Sequence, residues 1–202
     1  MIKDFLIINC TGKNDSIALK IDSKFFFKKL ESKISKTEML VLDILVFLKE
    51  NNVKTNDKFS LIVNSGPGSF SGIRIALAVA KGIQLVNKIK VYSYNYFLLN
   101  AAPYLNKAIK VISILKTNNF YYYTENDFSN HYTFTMPKKI DYDYLEKEPS
   151  TIVMPQEIVN DKIFRNISQK KIKIAHFNLK NIEIIIEKNL LENKLIKPLY
   201  LS

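Results

Sequence analysis

The stretch Asn64–Gly82, NSGPGSFSGIRIALAVAKG, constrains this chain more than any other part of it. Three of the chain's five glycines, Gly66, Gly68 and Gly72, fall within seven residues of it. Ahead of them KFSLIVNS reads as a short buried strand, and after them an almost unbroken apolar pattern runs as a helix to about Asn87. A strand, a glycine loop and a helix form either a phosphate cradle or a turn that launches a helix. The Walker reading fails, because Ile73 and Arg74 stand where Lys and Ser/Thr must follow the last glycine. The dinucleotide reading fails on spacing, Gly-x-Gly-x-x-x-Gly being one residue too long. Pro67 removes an amide, and NKIKVY offers no acid about 20 residues on to hold a ribose. Gly66, Pro67, Gly68, Ser69 and Phe70 therefore read as a structural loop, in which glycines permit a tight turn and close backbone approach. Ser69 and Ser71 are candidate caps of the helix start.

The helix itself lacks the broad polar side of an ordinary surface helix. Gly72, Ala76 and Ala80 recur at four-residue spacing, with Ile75, Val79, Gly82 and Val86 as the neighbouring stripe. Met39–Leu48 is equally apolar, interrupted only by Asp43. A 202-residue chain has little room for two all-apolar central helices. The expectation is that each packs one face on its own sheet and another on a second protein. The expected contact residues are Met39, Leu42, Val46, Gly72, Ile73, Ala76, Val79, Ala80 and Ile83. The small-residue stripe would admit a close helix, and Ala76→Arg would test that outward placement.

Along the chain, DFLIINCTGKNDSIALKIDSKFFFKK reads as three strands, with turns at Gly12, Asn14 and Asp15 and at Asp22 and Ser23. SKTEMLVLDILVFLKENN is a helix with Ser35 and Glu38 in capping-box positions. KIKVYS is a strand, and a helix covers about Tyr94 to Leu105. KAIKVISILKTNNFYYYTEN is a hairpin turning at Asn-Asn, and NHYTFTM is a further strand. PKKIDYDYLEKEPS is a charged, exposed connection. TIVMP and QKKIKIAHF are strands, and NLKNIEIIIEKNLLENK is the last helix. The order is mixed α/β with a split at 105/106, giving lobes 1–105 and 106–202.

The net charge of +11 invites a nucleic-acid reading. Of 30 basic residues only Arg74 and Arg165 are arginine, the preferred bidentate reader of bases and phosphates. The lone Cys10 excludes an internal disulfide and points to the cytoplasm; it reads as a buried structural thiol. No run spans a bilayer, so no membrane association is expected. His131 and His176 stand too far apart for a helical metal pair. Phe120, Tyr121, Tyr122 and Tyr123 are read as sheet packing rather than base-stacking groups. Asp141, Asp143, Glu146 and Glu148 are read as a solvated segment. Neither Ser69 nor Ser71 has a base beside it. No catalytic residue, metal ligand or cofactor site is identified.

GPGSFSGIRIALAVAKG resembles the signature of the TsaB (YeaZ) family, usually written GPGSFTGLRIGLATAKG. The order of elements around it agrees, and the terminal PLYLS, Pro198–Ser202, is similar to the family's Pro-x-Tyr-Leu-Arg. The likeness is strong over about Leu61–Val91 and weak from Ala108 to Lys197. It implies an actin-like ATPase (ASKHA) fold of two small lobes, each an RNase H-like core with a mixed sheet and flanking helices. It implies a non-catalytic subunit that pairs with a catalytic TsaD-like protein to form threonylcarbamoyladenosine in ANN-decoding tRNAs. The pairing would use the helices at Ser35–Asn51 and Gly72–Asn87. A TsaE-like ATPase is a further implied partner; tRNA would be engaged indirectly, and the isolated chain would homodimerise. No cofactor of its own is expected, although a nucleotide site shared at the partner interface stays open. Three features depart from the family. Asn9, in IINCT, replaces the usual aspartate of the first strand–turn. The histidine ahead of the first apolar helix is missing in SKISKTEML. The second-lobe Ala-Arg-x-Gly-Glu-Val-Tyr is present only as LKTNNFYYY. Two other classes compete, a stand-alone ASKHA-type ATPase or phosphotransferase and a basic tRNA-binding module. The missing carboxylate and histidine pair oppose the first, and scarce arginine opposes the second.

Overall fold

The computed structural model describes residues 2–12, 15–30, 36–56, 58–117, 120–129, 132–176, 178–193 and 196–201, with side chains from residue 39 onward in the first helix. Asn14, Ser35, the Glu38 side chain, the Asn118–Asn119 turn and His131 lie outside the described residues, and with them the capping-box expectation. Two compact units form, Met1–Asn95 with Leu190–Tyr200, and Tyr96–Asn189.

The first unit begins with β1 (Phe5–Asn9), β2 (Ser16–Ile21) and β3 (Lys24–Lys29). Asp22 and Ser23 sit at φ 48° and 65°, the left-handed pair that a two-residue hairpin requires. Helix α1 (Lys36–Glu50), strand β4 (Ser60–Asn64), helix α2 (Phe70–Asn87) and strand β5 (Lys90–Tyr94) follow. The sheet order is β3-β2-β1-β4-β5. β1 to β3 form an antiparallel meander, and β4 and β5 run parallel to β1. The central strands FLIIN and SLIVN are buried throughout, which explains their continuous apolar sequence. Leu6, Ile8, Leu61 and Val63 pack with Leu40 and Ile44 of α1 and Ile73, Ala76 and Ala80 of α2. Asp43, the one break in the apolar run of α1, pairs with Lys28 at 2.7 Å.

The second unit holds α3 (Tyr96–Ala101), β6 (Lys110–Thr117), β7 (Phe120–Asp127), the short β8 (Thr133–Phe134) and β9 (Lys138–Lys139), α4 (Tyr142–Lys147), β10 (Thr151–Pro155), β11 (Ile172–Ala175) and α5 (Leu179–Glu187). Its sheet order is β11-β10-β6-β7-β8, with β9 also on β7. β6 to β8 are antiparallel, and β10 and β11 run parallel to β6. The plan of the first unit is thus repeated: a meander, then two strands parallel to its first. Each unit is thus a mixed sheet with flanking helices, as expected of an RNase H-like core.

Three expectations change. The units part between Asn95 and Tyr96, not at 105/106, and Leu190–Tyr200 returns to the first unit. Local pattern marks α3 as apolar but cannot show which core it joins; Ser113 Oγ donates to the Phe97 carbonyl at 3.0 Å within the second unit. The returning segment exchanges two backbone hydrogen bonds between Glu192 and Ser93, at 2.8 and 2.9 Å. The connection read as exposed contains α4, capped by Asp141, whose Leu145 is fully buried. A six-residue helix is too short to display a period. Last, α5 stops at Glu187, because Asn189 at φ 54° enters the left-handed region.

An ionic cluster fastens α4. Lys110 Nζ lies 3.1 Å from Glu125 and 3.2 Å from Glu148 and donates to Tyr144 Oη at 3.1 Å. Glu148 accepts from Tyr144 Oη at 2.8 Å and from Ser150 Oγ at 2.7 Å. Burial opposes the Lys110 charge, but hydrogen bonds to Tyr144, Glu125 and Glu148 outweigh it and hold the ammonium well above the usual lysine range.

Candidate functional site: the glycine loop and the outward helix pair

β1 and β4 end side by side, and their carboxyl ends carry asparagines. Asn9 Oδ1 accepts from Thr11 Oγ1 at 2.9 Å and from Asn64 Nδ2 at 3.2 Å. Asn64 Oδ1 in turn accepts from the Gly66 amide at 2.9 Å. All of these side chains are buried, so the first strand–turn is closed by a neutral amide chain. An amide here supplies neither the charge nor the proton acceptor that a carboxylate would.

The glycines of the loop approach the chain's own backbone. A Cβ on Gly72 would stand 2.0 Å from the Cys10 carbonyl oxygen, and one on Gly68 2.5 Å from that of Thr11. Gly66, at φ 113°, faces the Leu199 carbonyl, which a Cβ there would meet at 2.9 Å. The Gly66–Pro67 peptide is cis. The Ser69 amide donates to the Thr11 carbonyl at 2.7 Å, and Ser69 Oγ accepts from the Gly72 amide at 3.3 Å as the cap of α2. Ser71 instead lies in the first turn of the helix. The amides of Gly66, Ser69 and Gly72 are thus bonded within the protein, and the faces opened by the glycines meet carbonyl oxygens, which repel phosphate. The loop locks two strand ends to a helix start.

α1 and α2 pack against each other. On α1, Met39, Leu42 and Val46 are exposed, and so are Val41 and Leu45. On α2 the expected stripe is turned the other way. Gly72, Ile73, Ala76, Val79 and Ala80 are buried in the chain's own core, and Ile83 is half-buried against it. The outward face consists of Ser71, Arg74, Ala78, Lys81, Gly82, Leu85 and Val86, with Leu85 and Val86 each 82% exposed. The small residues serve the approach of α2 to the Cys10 turn, not to a partner. An all-apolar helix hides its phase, but Arg74 and Lys81, two turns apart, marked the outer side.

The remaining candidates take structural places. Cys10 is buried. Tyr122 and Tyr123 are buried in the sheet, Tyr121 Oη donates to Asp161, and Phe120 is exposed beneath Lys139 Nζ at 4.6 Å. Asp141 caps α4, with Asp143 in its first turn, Glu146 in its body and Glu148 in the Lys110 cluster. His176 is exposed, just after β11. Among the described residues no three His, Cys, Asp or Glu side chains gather as a metal-ligand group. Among them, too, no helix is long and apolar enough to cross a membrane.

No family model matches the chain. It is 36% identical over 121 residues to the tRNA threonylcarbamoyladenosine biosynthesis protein TsaB of Buchnera aphidicola subsp. Baizongia pistaciae, across 58% of this chain. Its fold is similar to that of YeaZ from Pseudomonas aeruginosa, with a TM-score of 0.67 at 15% identity over 98% of this chain and 100% of that one. A second Pseudomonas aeruginosa structure, described as similar to peptidase YEAZ, gives 0.68 at 14% identity over 99% of this chain and 100% of that one. The match to Buchnera TsaB spans about half, 55%, of that relative's length. The buried Asn9 lock occupies the first strand–turn, where the resemblance implied an aspartate.

Proposed function

We propose that this chain is a non-catalytic subunit in the formation of tRNA threonylcarbamoyladenosine, the process named for its Buchnera relative. In this reading it pairs with a TsaD-like enzyme, touches tRNA only through that complex, and binds no cofactor of its own. Any nucleotide would sit at the shared interface, and a TsaE-like ATPase would join the assembled pair. The observation that carries the reading is the exposed apolar face of α1 and α2, bearing Leu42, Leu45, Val46, Ala78 and Leu85 on a chain with a net charge of +11. Exposed apolar residues gathered on two packed helices mark a candidate interface. Burying it yields about 25 cal/mol per Å², less the entropic cost of association.

Lys49, Arg74 and Lys81 are exposed on the same two helices, so the face suits a partner helix pair that carries acidic residues better than a second copy. With no such partner present, two copies pair through the same face, more weakly. The neutral Asn9 lock weighs against a stand-alone ATPase or phosphotransferase, which needs a carboxylate at the strand end.

The test is co-sedimentation with the TsaD-like protein of the same organism. Ala78→Arg should leave the chain folded and abolish the complex, because a long charged side chain would stand unpaired in an apolar contact. Ala76→Arg, in contrast, should unfold the chain. A complex that survives both Ala78→Arg and Leu45→Glu would place the interface elsewhere.

A further inference from the structure

The returning C-terminal segment does more than close the first unit. The Leu199 amide donates to the Ser65 carbonyl at 2.7 Å, and the Leu199 carbonyl lies over Gly66. This seam brings Tyr200 to the start of α2, where its ring stacks on Phe70 at 4.7 Å between centroids and 29° between planes. The Arg74 guanidinium lies 5.1 Å from the centroid of the same Phe70 ring. Three side chains from two distant parts of the sequence thus form one stack.

The stack is not core. Phe70 is 56% exposed and Tyr200 46%, and Arg74 is exposed as well. Phe70, Arg74 and Ala78 follow one another at four-residue spacing, and Lys81 and Leu85 continue the row, so the stack ends the outward stripe of α2. Tyr and Arg are the residue types that dominate binding energy at protein interfaces. A guanidinium held over a ring is pre-organised and keeps its N–H donors for a carboxylate, which lysine cannot reproduce. In a chain whose basic residues are nearly all lysine, an arginine stands at the position where stacking matters.

We propose that Tyr200, Phe70 and Arg74 are the specificity-determining end of the partner surface. They would take an apolar helix face that carries a carboxylate, and the Leu199–Ser65 seam would hold Tyr200 in place. This rests on the pairing proposed above.

The experiment measures the affinity of the full chain for the purified TsaD-like protein of the same organism, alongside the melting temperature of each variant. Tyr200→Ala should weaken binding about tenfold or more with an unchanged melting temperature, and Tyr200→Phe should bind within about twofold of the original. Arg74→Lys should lose about tenfold although the charge is kept. Gly66→Ala, which presses on Leu199, should lose a similar factor, and adding Tyr200→Ala to it should cost little more. If Gly66→Ala fails to fold, the Tyr200 pair of variants decides. Tyr200→Ala binding as well as the original while Leu45→Glu abolishes binding would overturn the role of the stack and leave the pairing intact. An unaltered chain that does not bind overturns both.

Discussion

Asn64 donates from Nδ2 to the Oδ1 of Asn9 across 3.2 Å, joining the ends of the two central strands of the first unit through a buried amide pair. The same Asn9 oxygen also accepts from Thr11. Asn9→Ala removes the acceptor of both bonds at a site that is 2% exposed. Leaving buried donors without it should cost about 1–3 kcal/mol. Chemical denaturation should show the loss as a lower midpoint at constant slope. An unchanged midpoint would mean that the amide pair does not hold the strand ends.

Two glycines on α2 should respond to alanine with opposite signs. Gly72→Ala drives a methyl group onto the Cys10 carbonyl, where the gap is 2.0 Å, and should abolish soluble folded protein or sharply lower its stability. Gly82 sits exposed in the helix body, and a methyl group added there would meet nothing within 4 Å. Gly82→Ala should stabilise the isolated chain by about 0.5–1 kcal/mol through helix propensity. Thermal melts of the two variants side by side check the sign. A tolerated Gly72→Ala would sink the account of the loop as a backbone lock.

This contrast shows what the sequence made legible. The strand–loop–helix order and the cap at Ser69 could be read directly, because glycine spacing and apolar runs are local signals. The three-strand meander at the front was equally plain from the turn residues Gly12, Asp15, Asp22 and Ser23 between its apolar runs. The orientation of α2 was legible only in Arg74 and Lys81, a polar signal that the small-residue stripe masked. Gly72, Ala76 and Ala80 suit a close approach by any backbone, and only the tertiary structure shows that this backbone is the chain's own. The return of Leu190–Tyr200 was hidden for a related reason: Glu192 pairing with Ser93 is a contact between distant segments that no local pattern encodes. Helix α4 was missed because one buried residue, Leu145, anchors it.

The ionic cluster of the second unit should make stability depend on pH at both ends of the scale. The Ser150 hydroxyl, against the effect of burial and with help from Tyr144 and Lys110, holds the Glu148 carboxyl below its usual range. A depressed carboxyl contributes stability that is present above its unfolded value, about 4.5, and is lost as the pH falls through its folded value. Lys110, raised in the fold, contributes stability that is present below about 10.5 and is lost as the pH rises through its folded value. Glu148→Gln should therefore lower the melting temperature at neutral pH and flatten its fall between about pH 5 and pH 3. The alkaline loss should shrink too, since Lys110 loses a partner. Parallel pH curves for the variant and the original chain would contradict this assignment.

The proposed role, that this chain serves tRNA modification as a partner subunit through its outward helix pair, is tested most directly by reconstitution. The measurement is the amount of threonylcarbamoyladenosine formed in an ANN-decoding tRNA, quantified by mass spectrometry of the digested nucleosides. The reaction contains the organism's own TsaD-like and TsaE-like proteins and a source of the threonylcarbamoyl group, and it is run without this chain, with it, and with its folded Ala78→Arg variant. The account predicts product only with the original chain, and background levels in the other two reactions. Equal product without the chain, or full product with Ala78→Arg, would contradict it.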